Sequence, residues 1–260
     1  MPRVLSAAAF LPIVFGVIWF LAPIWTLAFA EVLLLLAVIE YSEIAARTDA
    51  PFTRITTATA AAVSCAALSL VPSQFPAVLM VAGVGIAVVE LSRSRQRAML
   101  APVSAALLTL PYLALPLGAL AAIRAQSGRE VLVLFLVTVM ASDTAQYYGG
   151  RAFGRRPLAP TISPKKTVAG AVFGFAAGMV VLGVAGEWWL PGLDVGFRVL
   201  LGAMIAGLGI VGDLFESSLK RAADLKDASA LIPGHGGILD RLDGILFAAP
   251  VYYAIVHLTT

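Results

Sequence analysis

Eight charged side chains fall between residues 219 and 243, in the segment LKRAADLKDASALIPGHGGILDRLD. The 260-residue chain is 60% hydrophobic and only 13% charged, so this density of charge is local. Lys220, Arg221 and Lys226 are cations that can contact phosphate oxygens, and several acids lie beside them. Clustered acids and bases suit phosphoryl-type chemistry, because carboxylates hold a hard cation such as Mg²⁺ while the bases neutralise phosphate charge.

The acids available to such a cation lie both inside and outside this segment. Inside it they are Asp227, Asp240 and Asp243, and each could instead pair with a neighbouring base. Outside it, Asp143 and Asp213 each end an apolar stretch directly before a basic, glycine-bearing loop. Glu216 lies three residues after Asp213, so two carboxylates can point from one helix face into one site.

Two loops supply the remaining candidate groups. In IPGHGG, the glycines Gly234, Gly236 and Gly237 let backbone N–H groups approach a phosphate closely, and His235 can donate a hydrogen bond to the same group. The other loop contains ISPKKT. An ordinary solvated loop would explain each feature alone. Their combination with acids at the ends of apolar helices favours an active site.

The elements that position these residues are predicted to be membrane spans. The mean hydropathy of the chain is +0.93, and apolar runs close to the ~20 residues needed to cross a bilayer recur along it. We therefore predict an all-α, polytopic membrane protein that forms a single integral membrane domain over 1–260. Residues 1–130 hold the N-terminal spans, and 131–260 hold the catalytic spans and cytoplasmic loops. The nine predicted spans are 4–21, 24–42, 55–72, 75–91, 100–123, 131–149, 167–186, 196–217 and 242–258.

The basic residues support nine spans, because short cytoplasmic loops collect Lys and Arg. Alternating the loops between the two sides places fifteen of the 18 basic residues on the side of the N-terminus and only Arg124, Arg129 and Arg198 on the other. The fifteen are Arg3, Arg47, Arg54, Arg93, Arg95, Arg97, Arg151, Arg155, Arg156, Lys165, Lys166, Lys220, Arg221, Lys226 and Arg241. We expect the N-terminus and the active site on the cytoplasmic side and the C-terminus outside. The net charge of +3 is then a topology signal, and no nucleic-acid partner is expected.

Several other groups have structural explanations or exclude classes of site. Cys65 lies in an apolar span, where packing explains it, and one Cys with two His excludes a Cys/His zinc site. Glu40 and Glu90 lie near cytoplasmic span ends, where snorkelling or pairing with Arg47 or Arg93 explains them. The chain has no G-x-x-x-x-G-K-[ST] loop, so a P-loop nucleotide site is not supported.

Small residues recur at helical spacing on the seventh and eighth predicted spans. They are Gly170, Gly174, Gly178, Gly202, Ala206 and Gly209. This spacing lets helix backbones approach closely, so we expect these two spans to pack together and to bring their adjoining loops together.

The segment SSLKRAADLKDASALIPGHGGILDRLD, residues 217–243, resembles the signature of phosphatidate cytidylyltransferases, the membrane enzymes also called CDP-diacylglycerol synthases. GDLFES and DTAQYYGGRAFGRRPLAPTISPKKT are also similar to that family, and the resemblance covers roughly residues 140–250. It implies a phospholipid-biosynthesis reaction in which phosphatidic acid and CTP give CDP-diacylglycerol and pyrophosphate with Mg²⁺. It further implies a multi-pass protein of a cell membrane, such as a bacterial inner membrane, and suggests a homodimer.

The resemblance also implies roles for individual residues. Asp213 and Asp240 match the principal metal-site carboxylates, Asp143 matches a further acid of the same cavity, and a second cation is expected at the site. Glu216 is a further metal candidate because it shares a helix face with Asp213. The catalytic set is Asp213, Asp240, Lys226 and Asp227. The substrate-binding set is Ser163, Lys165, Lys166, Thr167, Lys220, Arg221, His235, Gly236, Gly237 and Arg241.

The chain departs from the family pattern after SPKKT, where Val168 and Ala169 replace the usual Trp and Glu or Gln. Loss of the polar group at 169 removes a hydrogen bond near the substrate. Three alternatives stay open: a lipid kinase, a cytidylyltransferase for another lipid phosphate such as an isoprenoid ether lipid, and a transporter or channel, since intramembrane acids and glycine-rich helices also mark ion pathways. Acids at one face rather than at mid-membrane argue against the transporter.

Overall fold

A computed structural model describes residues 12–93, 99–229 and 236–259. After a helical stretch at 12–20, nine helices and one β-hairpin follow in the described residues. The helices are α1 Pro23–Arg47, α2 Arg54–Leu70, α3 Phe75–Arg93, α4 Leu100–Thr109, α5 Leu115–Gln126, α6 Arg129–Phe153, α7 Val168–Trp189, α8 Val195–Ala222 and α9 Leu239–Thr259. A 3₁₀ turn, Pro72–Gln74, leads into α3, and a π-helical turn, Leu110–Ala114, joins α4 to α5.

Seven helices in the described residues are long and apolar enough to cross a membrane. They are Pro23–Arg47, Pro72–Arg93, Leu100–Gln126, Arg129–Phe153, Val168–Trp189, Val195–Ala222 and Leu239–Thr259. The prediction of a helical, multi-pass membrane protein is confirmed at this level. The helix Arg54–Leu70 is apolar but has only 17 residues, and most of the predicted span 4–21 lies outside the described residues. The count of nine and the orientation of the termini therefore stay predictions.

The chain divides into two compact units, which we call unit 1 and unit 2. Unit 1 comprises Met1–Gln126 together with Leu219–Arg241, and unit 2 comprises Ser127–Ser218 together with Leu242–Thr260. The unit boundaries fall inside α8 and inside α9. The last turn of α8, the loop after it and the start of α9 thus belong to the same unit as α1 to α5.

The core of unit 1 is built on α1, α2 and α5. Leu34 and Leu117 are fully buried, and Gly118 lies so close to the backbone of Cys65 that an added Cβ would sit 2.9 Å from the Cys65 carbonyl oxygen. Helices α2 and α5 therefore meet backbone to backbone at this point. Cys65 is itself fully buried, in agreement with its predicted packing role.

In unit 2, glycines allow the helices to pack closely against one another. Gly170 faces α6, because a Cβ there would lie 2.7 Å from the carbonyl oxygen of Gln146. Gly178 faces α8, where a Cβ would lie 2.6 Å from the carbonyl oxygen of Gly202. The predicted close contact of the seventh and eighth spans is present through Gly178 and Gly202, whereas Gly170 serves a contact with α6.

The hairpin of unit 2 is the part of its fold that the all-α prediction missed. Strands β1, Pro157–Ala159, and β2, Ser163–Thr167, pair antiparallel, with Pro157 opposite Thr167 and Ala159 opposite Ser163. Helix α7 begins immediately afterwards. Thr167 is its N-cap, and the Thr167 hydroxyl accepts a hydrogen bond from the Gly170 N–H at 3.1 Å. This cap fixes where the strand ends and the helix begins.

Candidate active site

In unit 2, the second strand of the hairpin positions Lys166 next to Asp213. Successive side chains of a strand point to opposite faces, and accordingly Lys165 is exposed while Lys166 is half-buried. The Lys166 ammonium group forms an ion pair with Oδ2 of Asp213 on α8. Oδ1 of Asp213 accepts a hydrogen bond from the Ser217 hydroxyl at 3.3 Å. The Asp213 side chain remains 33% exposed, so it is open to further ligands.

Two more carboxylates of unit 2 lie near this ion pair. Asp143 on α6 interacts electrostatically with both Lys166 and Asp213, and Asp243 on α9 interacts with the same two groups and with Asp143. Gln146 donates a hydrogen bond to Oδ1 of Asp143 at 3.2 Å. Three acids and one base therefore share a small region. The sequence predicts Asp143 and Asp213 as metal candidates, whereas it names Asp243 only as an available acid and assigns it no role.

Glycines explain how the three acids come so close. A Cβ at Gly212 would collide with the backbone carbonyl of Asp243, so α8 and α9 touch at their backbones here. A Cβ at Gly244 would lie 3.3 Å from Oδ2 of Asp143. Glycine at 212 is therefore needed for the close approach of α8 and α9, whereas a side chain at 244 would crowd the Asp143 carboxylate.

Unit 1 contains the second group of predicted site residues. On α8, Nζ of Lys220 lies 2.5 Å from Oδ1 of Asp240, which stands in the first turn of α9. Oδ2 of Asp240 accepts backbone hydrogen bonds from Ala228 at 2.9 Å and from Gly237 at 2.8 Å. The carboxylate of Asp240 thus ties together the two ends of the signature loop that the structure describes.

The signature glycines of unit 1 make room for carboxylates. Gly236 has a φ of +78°, and a Cβ there would lie 2.5 Å from Oδ2 of Asp240. A Cβ at Gly237 would collide with the carboxylate of Glu40. Since the Gly237 N–H donates to Asp240, this donor is already engaged within the loop. The predicted contact of these glycines with a phosphate stays a prediction.

Glu40 has contacts that differ from the snorkelling or the pairing with Arg47 that the sequence predicts. The structure shows its carboxylate accepting hydrogen bonds from the Ser229 hydroxyl and from the N–H groups of Ile238 and Leu239. Glu90, with which it was compared, accepts a hydrogen bond from the Thr53 N–H at 2.7 Å. No local pattern distinguishes the two glutamates, because the donors of Glu40 lie about 190 residues away.

The other predicted residues occupy varied positions. Glu216 is fully buried, and Ser163 and Thr167 are half-buried in the hairpin. Arg221, Lys226, Asp227 and Arg241 are exposed. Nη1 of Arg221 donates to the carbonyl of Leu225 at 3.0 Å. His235 and Gly234 lie outside the described residues, as do Arg3, Arg95 and Arg97 of the predicted cytoplasmic face.

The donor set of unit 2 fits a magnesium ion. No group of three or more His, Cys, Asp or Glu side chains within 12–93, 99–229 and 236–259 is arranged to enclose a metal. Mg²⁺ does not require such a cage, because it binds through one or two carboxylates together with water and substrate phosphates. Asp213 already holds a cation in the form of the Lys166 ammonium group. That Asp240 ligates the same ion stays a prediction.

Known proteins place the chain among cytidylyltransferases. Residues 1–259 match the family described as the cytidylyltransferase family. The phosphatidate cytidylyltransferase of Synechocystis sp. is 44% identical over 135 residues, which are 51% of this chain and 45% of that protein. Its counterpart in Helicobacter pylori strain 26695 is 40% identical over 132 residues, 50% of this chain and 48% of that protein.

A third relative is the phosphatidate cytidylyltransferase of Bacillus subtilis, 38% identical over 138 residues, which are 51% of this chain and 49% of that protein. The chain therefore spans about half the length of the curated relatives that it matches. The family match, in contrast, runs through almost all of its residues, so the predicted family is confirmed. The chain belongs to the cytidylyltransferase family.

Proposed function

We propose that this chain transfers CMP from CTP to phosphatidate and forms CDP-diacylglycerol and pyrophosphate. The observation that carries the proposal is the pairing of Lys166 with Asp213 in unit 2, with Asp143 and Asp243 beside it. A base that can meet phosphate oxygens and acids that can hold a divalent cation are what nucleotidyl transfer needs. The phosphatidate cytidylyltransferases with which the chain shares 38–44% identity support the same substrates.

The proposed reaction uses these groups in a direct displacement. A phosphatidate oxygen attacks the α-phosphorus of CTP, the bond from that phosphorus to the oxygen of the β-phosphate breaks, and pyrophosphate leaves. The nucleophile carries its own negative charge, so no side chain has to remove a proton. Lys166 donates to a phosphate oxygen and offsets the charge that gathers on the leaving group.

Asp213 is the carboxylate of unit 2 best suited to hold Mg²⁺, since it is partly exposed and already binds a cation. When bound, Mg²⁺ neutralises triphosphate charge and polarises phosphoryl oxygens. Asp143 and Asp243 are acids that interact electrostatically with it. Mg²⁺ dependence, a second cation and a homodimer are part of this proposal.

We further propose that the site lies at the cytoplasmic boundary of a cell membrane. Phosphatidate must keep its acyl chains in hydrocarbon while its phosphate meets a water-soluble nucleotide, and only the boundary satisfies both requirements. The excess of Lys and Arg in alternate loops supports the cytoplasmic side.

The experiment that tests the function uses purified protein, CTP labelled at its α-phosphate, and a series of lipid phosphates. We expect labelled CDP-lipid to form with phosphatidate, to disappear after chelation, and to return when Mg²⁺ is added. Product with an isoprenoid ether lipid phosphate alone would change the assigned substrate. Transfer of the γ-phosphate to lipid would indicate a lipid kinase, and ion flux through proteoliposomes without nucleotide turnover would indicate a transporter.

A further inference from the structure

We propose that Glu40 is a positioning residue for the transfer reaction, which it serves by holding Ser229 and the start of α9, the helix that carries Asp240; this inference rests on the proposed function. Glu40 lies on α1, and only 3% of its surface is exposed. Its Oε1 accepts hydrogen bonds from the Ser229 hydroxyl at 2.6 Å and from the Ile238 N–H at 2.9 Å. Its Oε2 accepts one from the Leu239 N–H at 2.9 Å.

Two of these bonds go to backbone N–H groups at the buried start of a helix. Leu239 is the first residue of α9, and the N–H groups at a helix start have no partner within the helix. A carboxylate is favoured there because the helix dipole places partial positive charge at the N-terminus. Helix α1 therefore provides the cap that fixes where α9 begins.

Glu40 and Asp240 divide the donors of one loop between them. Asp240 accepts from the N–H groups of Ala228 and Gly237. Glu40 accepts from the next residue along the chain in each case, from the Ser229 hydroxyl and from the Ile238 N–H. Because neighbouring residues bind the two carboxylates, movement of one carboxylate shifts the donors of the other. The orientation of Asp240 thus depends on Glu40.

The buried position of Glu40 argues for positioning rather than for contact with substrate. Both of its oxygens are engaged by donors of the loop, and Gly237 packs against the carboxylate with no room for a side chain. Glutamine is nearly isosteric, but it would turn an NH₂ group toward backbone N–H donors.

The test compares Glu40→Gln with Glu43→Gln, a change to an exposed glutamate on the same helix. We expect Glu40→Gln to lower kcat by about tenfold or more, the size expected for losing a charge-assisted hydrogen bond, while KM for phosphatidate changes by less than about threefold. The Mg²⁺ concentration for half-maximal activity should rise. Glu43→Gln should match the wild type.

Hydrogen–deuterium exchange gives a readout that does not depend on turnover. Peptides containing Ile238 and Leu239 should exchange faster in Glu40→Gln and at the wild-type rate in Glu43→Gln. Ser229→Ala, which removes one donor and keeps the carboxylate, should give a smaller change of the same kind. It also keeps the inference testable if Glu40→Gln does not fold.

Three results would overturn the inference. The first is unchanged exchange at these amides in Glu40→Gln or Ser229→Ala. The second is a lower melting temperature with kcat and the Mg²⁺ requirement intact, which would make Glu40 a purely structural residue. The third is a loss confined to KM for phosphatidate, which would indicate substrate contact. If the wild-type protein forms no CDP-lipid, the proposed function fails, whereas the exchange measurement still decides whether Glu40 holds the loop.

Discussion

Nζ of Lys220 lies 2.5 Å from Oδ1 of Asp240, and the two side chains are only 11% and 10% exposed. This pair is more buried than Lys166 with Asp213, whose side chains are 20% and 33% exposed. Burial matters because a charge that loses its partner in the interior is costly, whereas one near solvent is screened. The two ion pairs should therefore respond differently to the same kind of mutation.

Lys220→Met should destabilise the protein by about 3 kcal/mol, because Asp240 would keep a buried negative charge without its cation. The backbone N–H groups of Ala228 and Gly237 would compensate only in part. Adding Asp240→Asn to Lys220→Met should restore some of the lost stability, since the double variant has no unpaired charge. Unfolding in detergent, monitored by tryptophan fluorescence, gives the free energies of the double-mutant cycle. Additive losses in the double variant would show that the pair is not coupled.

Asp213→Asn should abolish turnover but change the free energy of unfolding by no more than about 1 kcal/mol, because its ion pair with Lys166 is open to solvent. The matched control is Asp194→Asn, at the other end of α8, where the Asp194 carboxylate accepts from the Phe197 N–H at 3.1 Å and asparagine keeps that acceptor. We expect it to retain full activity. Labelled CDP-lipid formation and detergent unfolding report the two effects separately. Wild-type rates in Asp213→Asn would contradict its assignment as a metal ligand.

The spans could be predicted because hydropathy depends on local sequence. The predicted span 131–149 corresponds to α6, Arg129–Phe153, and 242–258 corresponds to α9, Leu239–Thr259. The helices extend beyond the apolar runs, because backbone hydrogen bonding continues after the side chains become polar. Their ends therefore cannot be set by hydropathy alone.

The parts that were missed depend on contacts between distant residues. The hairpin forms because Pro157 and Ala159 meet Thr167 and Ser163, while the SPKKT run by itself is typical of a loop. In the sequence, Glu40 resembles any glutamate near the end of a span. Its role depends on the hydrogen bond from Ser229, which is distant in the sequence and close only in the fold. The sequence predicts that acids form part of the site, since Asp143 and Asp213 both end apolar runs. The glycine contacts that bring these acids together depend on the folded structure and could not be predicted.

Gly236→Ala should destabilise the protein by about 2 kcal/mol, because the φ of +78° is strained for alanine and the Cβ would lie 2.5 Å from Oδ2 of Asp240. The matched control is Gly85→Ala in α3, where no atom lies within 4 Å of an added Cβ. That change should be neutral or stabilising by up to about 1 kcal/mol, owing to the higher helix propensity of alanine. Thermal unfolding in detergent compares the two, and equal stability would show that the loop tolerates a side chain at 236.

Ala169→Glu tests the departure from the family pattern. Ala169 is the second residue of α7, directly after the Thr167 cap and Val168, and its side chain is half-buried. A carboxylate in the first turn of a helix is stabilised by roughly 0.3–1 kcal/mol through the helix dipole, so the fold should accept it. With a polar group restored three residues after Lys166, we expect turnover with CTP and phosphatidate to stay equal or to rise.

The control for Ala169→Glu is Ala169→Gln, which supplies a hydrogen-bonding group without charge. A rise in both variants would attribute the gain to a hydrogen bond, and a rise with Glu alone would attribute it to charge. Initial rates at several CTP and phosphatidate concentrations distinguish kcat from KM. If activity collapses while the melting temperature is retained, the added acid competes for Lys166, and the site is then built around a small residue at 169 rather than weakened by it.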